Sequence, residues 1–259
     1  METTRLQNRE NVSELPCAGK VALVTGAAGN GMGRSIALTL AREGAHVVVN
    51  YRTSQAHAEK IVAQIKRDGG RAIAVQADIF EEQGCRHLVN TTNGRLGQID
   101  ICIIGPGGGW HPEPIDQLAV AGTLQDLHHE IDPLVYLLPL VLPGMYERKW
   151  GRIIGIAMHP NKLSPAYAYN LGKAARLQAL QLASEPAWPH GVTVNIIAPG
   201  PVPAIESLAQ AIEQCERGAQ WQTRADVSPQ DIAEGVAFLC SEAGRFITGC
   251  VMPYLFDVG

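Results

Sequence analysis

No stretch of this chain approaches the ~20 consecutive apolar residues that a membrane-spanning helix requires. The longest apolar run, Leu134 to Leu142, is interrupted by Pro139. Met1 to Leu15 is polar and mixed in charge and lacks the apolar centre of a secretory signal. A cytoplasmic protein is therefore expected, with residues 1–15 as a loose tail. The cysteines (Cys17, Cys85, Cys102, Cys215, Cys240 and Cys250) lie far apart, with no CxxC and no Cys/His cluster. That argues against a disulfide framework and against zinc or another metal, and for free thiols in a reducing compartment. Basic residues are not in excess: 21 Lys and Arg stand against 25 Asp and Glu, a net charge of −4. Broad nucleic-acid or anionic-membrane surfaces want the opposite balance. Neither partner is expected, although a local basic pocket is compatible with these numbers.

What is present is a soluble, globular composition, 46% apolar over 259 residues, enough for a substantial core. Short apolar runs rich in β-branched residues recur at 20–25, 45–50, 71–76, 99–104, 152–157 and 192–197. Helical patterns fill the gaps, from Met32 to Glu43 and Ser54 to Arg67 onward. Apolar strands alternating with helices predict a parallel sheet covered on both faces. No repeat or linker divides the chain, so residues 16–259 read as one doubly wound α/β domain. Two places break the pattern. The helix expected between Leu118 and Lys149 carries Pro133, Pro139 and Pro143, which should kink it. Residues 203–221 look like a lid inserted before the last helix. The apolar end, Val251 to Phe256, looks suited to burial, including at an interface.

Thr25-Gly-Ala-Ala-Gly-Asn-Gly-Met-Gly33 follows the first strand and opens the first helix. Glycine allows a tight turn and close backbone approach, and a helix N-terminus offers free N–H groups to a pyrophosphate. With this turn, five features resemble the short-chain dehydrogenase/reductase family. The others are Asp78 after the third strand, Tyr169-Asn-Leu-Gly-Lys173, Val194-Asn-Ile-Ile-Ala-Pro-Gly200, and Ser228-Pro-Gln-Asp-Ile-Ala with a late Ile247-Thr-Gly. The resemblance spans about residues 19–259 and implies a Rossmann-like fold binding a nicotinamide dinucleotide. It assigns that cofactor to Gly26, Asn30, Gly31, Met32 and Gly33 of the turn and to Arg52, Asp78 and Ile79. Gly105, Pro106 and Gly107, Tyr169 and Lys173, and Pro199, Gly200 and Val202 complete the set. It also implies a homodimer or homotetramer pairing the fourth and fifth helices.

The second strand ends Asn50-Tyr51-Arg52, with no acid to bond a ribose 2′-hydroxyl. An arginine there can fork onto a 2′-phosphate, so NADP(H) is expected, unless Arg52 is simply a solvated surface residue. Asp78 matches the adenine-holding position, or else caps a helix starting near Phe80.

Tyr169 and Lys173 are four apart on a helix and share a face. By resemblance, Tyr169 exchanges a proton with the substrate oxygen, and Lys173 holds the nicotinamide ribose and tunes the phenol. Three family features differ. The serine after the fifth strand falls at Met158, with Ala157 before it; His159 and Ser164 are candidate substitute donors, although a solvent-facing loop histidine and a helix N-cap serine are the preferred readings. The fourth-helix asparagine of the family's proton relay falls at Glu130, which either relays protons itself or is a solvated helix glutamate. The usual Asn-Asn-Ala-Gly reads Ile104-Gly-Pro-Gly107. Trp110 either stacks on a ring substrate or packs under its loop. Ala204 replaces a frequent threonine. The expected function is NADP(H)-dependent reduction of a carbonyl, or oxidation of the alcohol, on a small or polycyclic substrate. The alternative is redox-neutral chemistry (isomerisation, dehydration, cyclisation) or a non-catalytic role on the same fold.

Overall fold

Strands with no polar side to show water can only lie inside a sheet covered on both faces. Val21–Val24 (β1) and Ile101–Ile104 (β4) are buried at every residue. A computed structural model, which describes residues 14–158, 166–217 and 227–254, places both at the centre of a seven-stranded sheet. The other strands are His46–Tyr51 (β2), Ala72–Gln76 (β3), Gly151–Ile156 (β5), Val192–Pro199 (β6) and Val251–Tyr254 (β7). The order is β3-β2-β1-β4-β5-β6-β7, and each neighbouring pair is parallel. The chain winds outward in both directions from β1 and β4. The crevice where the order reverses, at the C-terminal ends of these strands, is where such sheets bind ligands.

Helices Met32–Arg42 (α1), Gln55–Arg67 (α2), Leu208–Arg217 (α6) and Pro229–Cys240 (α7) contribute to one buried layer. Glu82–Arg95 (α3), Val120–Arg148 (α4) and Tyr167–Ala187 (α5) contribute to the other. This is the expected single-domain doubly wound architecture. Among the described residues no helix is long and apolar enough to cross a membrane, and the six cysteines are free.

Two expectations need correction. Residues 251–254 are the seventh strand, in register with β6 from Ile196 opposite Val251. Asn195 fixes them: its Nδ2 donates to Ile247 O at 2.7 Å, and its Oδ1 accepts from Cys250 N at 3.1 Å. Pro253 suits an edge strand, where its missing N–H is not needed. The helix expected around Pro133, Pro139 and Pro143 is present, running through all three for 29 residues. Of the expected lid, residues 208–217 are α6, packed on α1, where Arg42 Nη1 donates to Cys215 O at 2.7 Å. Residues 218–226 lie outside the described residues, as do residues 1–13 of the expected tail.

Candidate active site

The glycine-rich turn is held by side chains on both flanks. Thr25 Oγ1 donates to Ile103 O and accepts from Gly105 N, both at 3.0 Å, tying the end of β1 to that of β4. Asn50 Oδ1 accepts from Gly26 N at 3.1 Å, and its Nδ2 donates to Ala77 O at 3.1 Å, tying the turn to β2 and β3. Gly26 has φ +60°, and a Cβ there would run into the Pro106 ring. A Cβ on Gly33 would stand 2.8 Å from Gly26 O, so the turn closes tightly on itself. At Gly31, by contrast, a Cβ would meet nothing within 4 Å. Space is open before the first turn of α1, whose Gly31 cap makes no side-chain hydrogen bond.

Beside this turn lies a cavity of about 320 Å³. It takes in Gly26, Arg52, Asp78, Ile79, Pro106 and Gly107, together with Asn50 and Phe80. Asn30, Gly31, Met32, Gly33, Gly105, Pro199, Gly200 and Val202 do not line it. Asn30 instead accepts from Ile205 N at 2.9 Å through its carbonyl, and the Arg34 guanidinium donates to Ile205 O. The segment after β6 is thereby clasped to the glycine-rich turn. Gly200 N donates to Tyr254 O at 3.0 Å, and Val202 packs against the core.

Arg52 is 59% exposed on its side chain, and its Nη1 stands 3.7 Å from Asp78 Oδ2. Asp78 does not cap a helix: α3 begins at Glu82 with Glu81 as its cap. Its Oδ1 accepts from Phe80 N at 3.0 Å, shaping the turn after β3.

The second cluster sits on α5, α4 and the loop after β4. Lys173 Nζ lies 5.3 Å from the centre of the Tyr169 ring and 2.8 Å from Glu130 Oε1. Glu130 is 1% exposed, so it is no solvated helix glutamate. Its Oε1 also accepts from Gly108 N at 2.8 Å. Its Oε2 faces Arg176 Nη1 at 3.2 Å. Arg176 is wholly buried and donates to Pro106 O and Ile104 O, each at 2.7 Å. A Cβ on Gly107 would collide with the Glu130 carboxylate, and one on Gly172 would reach 2.9 Å from its Cγ. Two glycines and an arginine are thus shaped around one acid. The loop that holds the acid, through Pro106 and Gly107, also walls the cavity beside the turn.

Burial pushes the Tyr169 phenol above the ordinary tyrosine value, and Glu130 pushes the same way. Burial lowers the Lys173 ammonium, with Glu130 opposing. Trp110 meets the Tyr169 ring edge-on, with centroids 5.0 Å apart at 81°. Trp110 is 55% exposed, which disfavours the alternative in which it packs under its loop. Met158 is half-buried and Ala157 buried; neither side chain can donate. His159 and Ser164 lie outside the described residues. Ala204 is exposed. Arg176 was missing from the sequence expectations, although its steps of seven from Tyr169 and three from Lys173 place all three on one helix face.

A family model described as enoyl-(acyl carrier protein) reductase matches residues 26–254. A short-chain dehydrogenase/reductase of Cladobotryum is 31% identical, covering 90% of this chain and 93% of that one. The chain belongs to the short-chain dehydrogenase/reductase family. As a member it is an enzyme, a carbonyl/alcohol oxidoreductase. The 7α-hydroxysteroid dehydrogenase of Escherichia coli is 32% identical over 93% of this chain and 95% of its own. A solved 7α-hydroxysteroid dehydrogenase, complexed with NADH and 7-oxo glycochenodeoxycholic acid, superposes with a TM-score of 0.81 at 29% identity, covering 94% of this chain and 96% of its own. Against that family pattern, this chain departs at Met158, at Glu130 and along Ile104 to Gly107.

Proposed function

We propose that this protein is an NADP(H)-dependent reductase of a ring-bearing carbonyl substrate, able to oxidise the alcohol in reverse, with Tyr169 as acid/base. The observation that carries the proposal is the pairing of Tyr169 with the Lys173 ammonium 5.3 Å from its ring, on a loop-linked cluster that borders the cavity beside the glycine turn. The residues there fit a dinucleotide: the turn is glycine where backbone must be bare, and Gly31 faces open space. Gly26, Asp78 and Ile79 would hold the adenosine half, Arg52 a 2′-phosphate, and the first turn of α1 the pyrophosphate. Tyr169, Lys173 and residues 199–202 would hold the nicotinamide half. When bound, the dinucleotide supplies the hydride. Tyr169 delivers the proton to the substrate oxygen, and Lys173 favours the phenolate that remains.

The relative and the solved structure named as 7α-hydroxysteroid dehydrogenase support a polycyclic or alicyclic substrate. Exposed Val120, Leu124 and Val135 on α4 and Leu171 and Leu182 on α5 support the pairing of these helices in a homodimer or homotetramer. Heating with each cofactor tests the first step: a hundredfold excess over Kd stabilises a specific binder by about 2.7 kcal/mol. NADPH should protect more than NADH. Loss of NADPH absorbance with cyclic ketones then tests turnover, and activity that survives Tyr169→Phe removes the proposed acid.

One observation favours a second possibility, redox-neutral chemistry: neither Ala157 nor Met158 offers the hydroxyl that steadies a reacting carbonyl. Losing one such donor typically costs about 10²- to 10³-fold in rate, against a total acceleration of about 10⁶ or more. The loss is therefore compatible with reduction where another donor substitutes or the substrate is reactive. Substrate conversion without change in NADPH absorbance would decide for the alternative.

A further inference from the structure

We infer that Arg176 is a positioning residue for the Tyr169–Lys173 centre: it holds Glu130 against the end of β4 and supplies the positive charge that Glu130 would otherwise cancel. The inference rests on the assignment of Tyr169 as acid/base. A phenolate beside Lys173 gains from that ammonium only if the ammonium is not neutralised. Here the Lys173 head lies 2.8 Å from a buried carboxylate, so these two alone sum to zero. Arg176, 3.2 Å from the other carboxylate oxygen, returns the cluster to one net positive charge.

The arginine also has a mechanical role. Its donors to Ile104 O and Pro106 O pin the β4 loop whose Gly108 N–H holds Glu130 Oε1. Glu130 is thus fixed at both oxygens, and Lys173 is fixed through it. Gly107 and Gly172 leave the room that the carboxyl and its stem occupy. The other titratable groups adjoining the loop, His111 and Asp126, pair with each other at 3.1 Å. They stay constant across the variants below.

The test compares the Tyr169 phenol in wild type, Arg176→Met, Glu130→Gln and the double variant Glu130→Gln/Arg176→Met. It is read as the alkaline tyrosinate absorbance that Tyr169→Phe removes, and as the pH midpoint of alcohol oxidation. Charge counting predicts opposite shifts. Arg176→Met leaves zero net charge and moves the midpoint up by about one unit, the lower end of what a nearby charge does. Glu130→Gln leaves two positive charges and moves it down. The double variant leaves Lys173 alone and returns the midpoint to that of wild type while kcat stays low, because nothing then positions the lysine. Arg176→Lys should restore part of the shift.

Unchanged midpoints in the single variants, or a double variant shifted as far as Arg176→Met, would overturn the inference. Should Arg176→Met fail to fold, Glu130→Gln and the double variant, which bury no unpaired carboxylate, decide by the same midpoints. If Tyr169→Phe removes no activity, the acid/base assignment fails, and the absorbance titration still reports on Arg176.

Discussion

Glu130 Oε1 lies 2.8 Å from Lys173 Nζ, joining α4 to α5 inside the protein. The same carboxyl answers Arg176 through its other oxygen. Deleting the acid would leave two buried cations without their counterion. Removing one member of a buried ionic group typically costs about 3–5 kcal/mol. Glu130→Ala should therefore lower the unfolding free energy by about that much in a denaturant titration. Glu130→Gln keeps the shape and an acceptor for Gly108 N, and should lose less. Small and equal losses would show that the ionic group contributes little to folding.

Gly172→Ala sets two effects against each other. Alanine is favoured over glycine inside a helix by about 0.5–1 kcal/mol. Its Cβ would stand 2.9 Å from Glu130 Cγ, and crowding of a packed site costs about 1–3 kcal/mol. A free side chain would swing away, but Glu130 is bonded at both oxygens. Crowding should win, and the melting temperature should fall. A rise on this substitution would show that Glu130 moves freely.

Six strands were legible because residues such as Val47, Val48 and Val49, or Ile101 to Ile104, are apolar without alternation, as a strand buried on both faces must be. The seventh was missed because it includes a proline, is only partly buried, and depends on Asn195 for its place. Tyr169 and Lys173 were legible because their spacing on one helix is a local fact. Glu130 was half-legible: polarity alone points such a residue outward, and its burial depends on an arginine 46 residues later in the chain. Arg176 in turn is satisfied by the carbonyls of Ile104 and Pro106, some 70 residues before it. No pattern of spacing reports that contact.

Arg52 should decide between the two nicotinamide dinucleotides. It borders the cavity and is largely exposed, with Asp78 Oδ2 at 3.7 Å. At that distance the pair is loose, and a 2′-phosphate would compete well for the guanidinium. Hydrogen bonds to charged groups are worth about 1.5–3 kcal/mol, or about 10- to 100-fold in Kd. Arg52→Ala should weaken NADPH by about that factor and leave NADH nearly unchanged. Arg52→Asp should reverse the preference, because a carboxylate bonds the ribose hydroxyls and repels the phosphate. Thermal shifts with each cofactor check both, and equal losses for NADPH and NADH would remove Arg52 from cofactor selection.

On the proposed function, Trp110 is the side chain that would recognise a substrate ring. Its indole meets Tyr169 edge-on at 5.0 Å, yet more than half of it faces solvent, so its own fold has not used that surface. Aromatic contacts add about 0.5–1.5 kcal/mol beyond the area they bury, or roughly 2- to 13-fold in affinity. Trp110→Ala should raise KM for cyclic ketones by about that factor while kcat changes little, because the proposed proton donor, Tyr169, is retained. Short acyclic ketones, which cannot cover the indole, should show no change in KM. A cyclic substrate should also alter Trp110 fluorescence, measured as the signal that the variant lacks. If kcat collapses and KM holds, Trp110 acts by orienting Tyr169 instead, and the ring-binding role is lost.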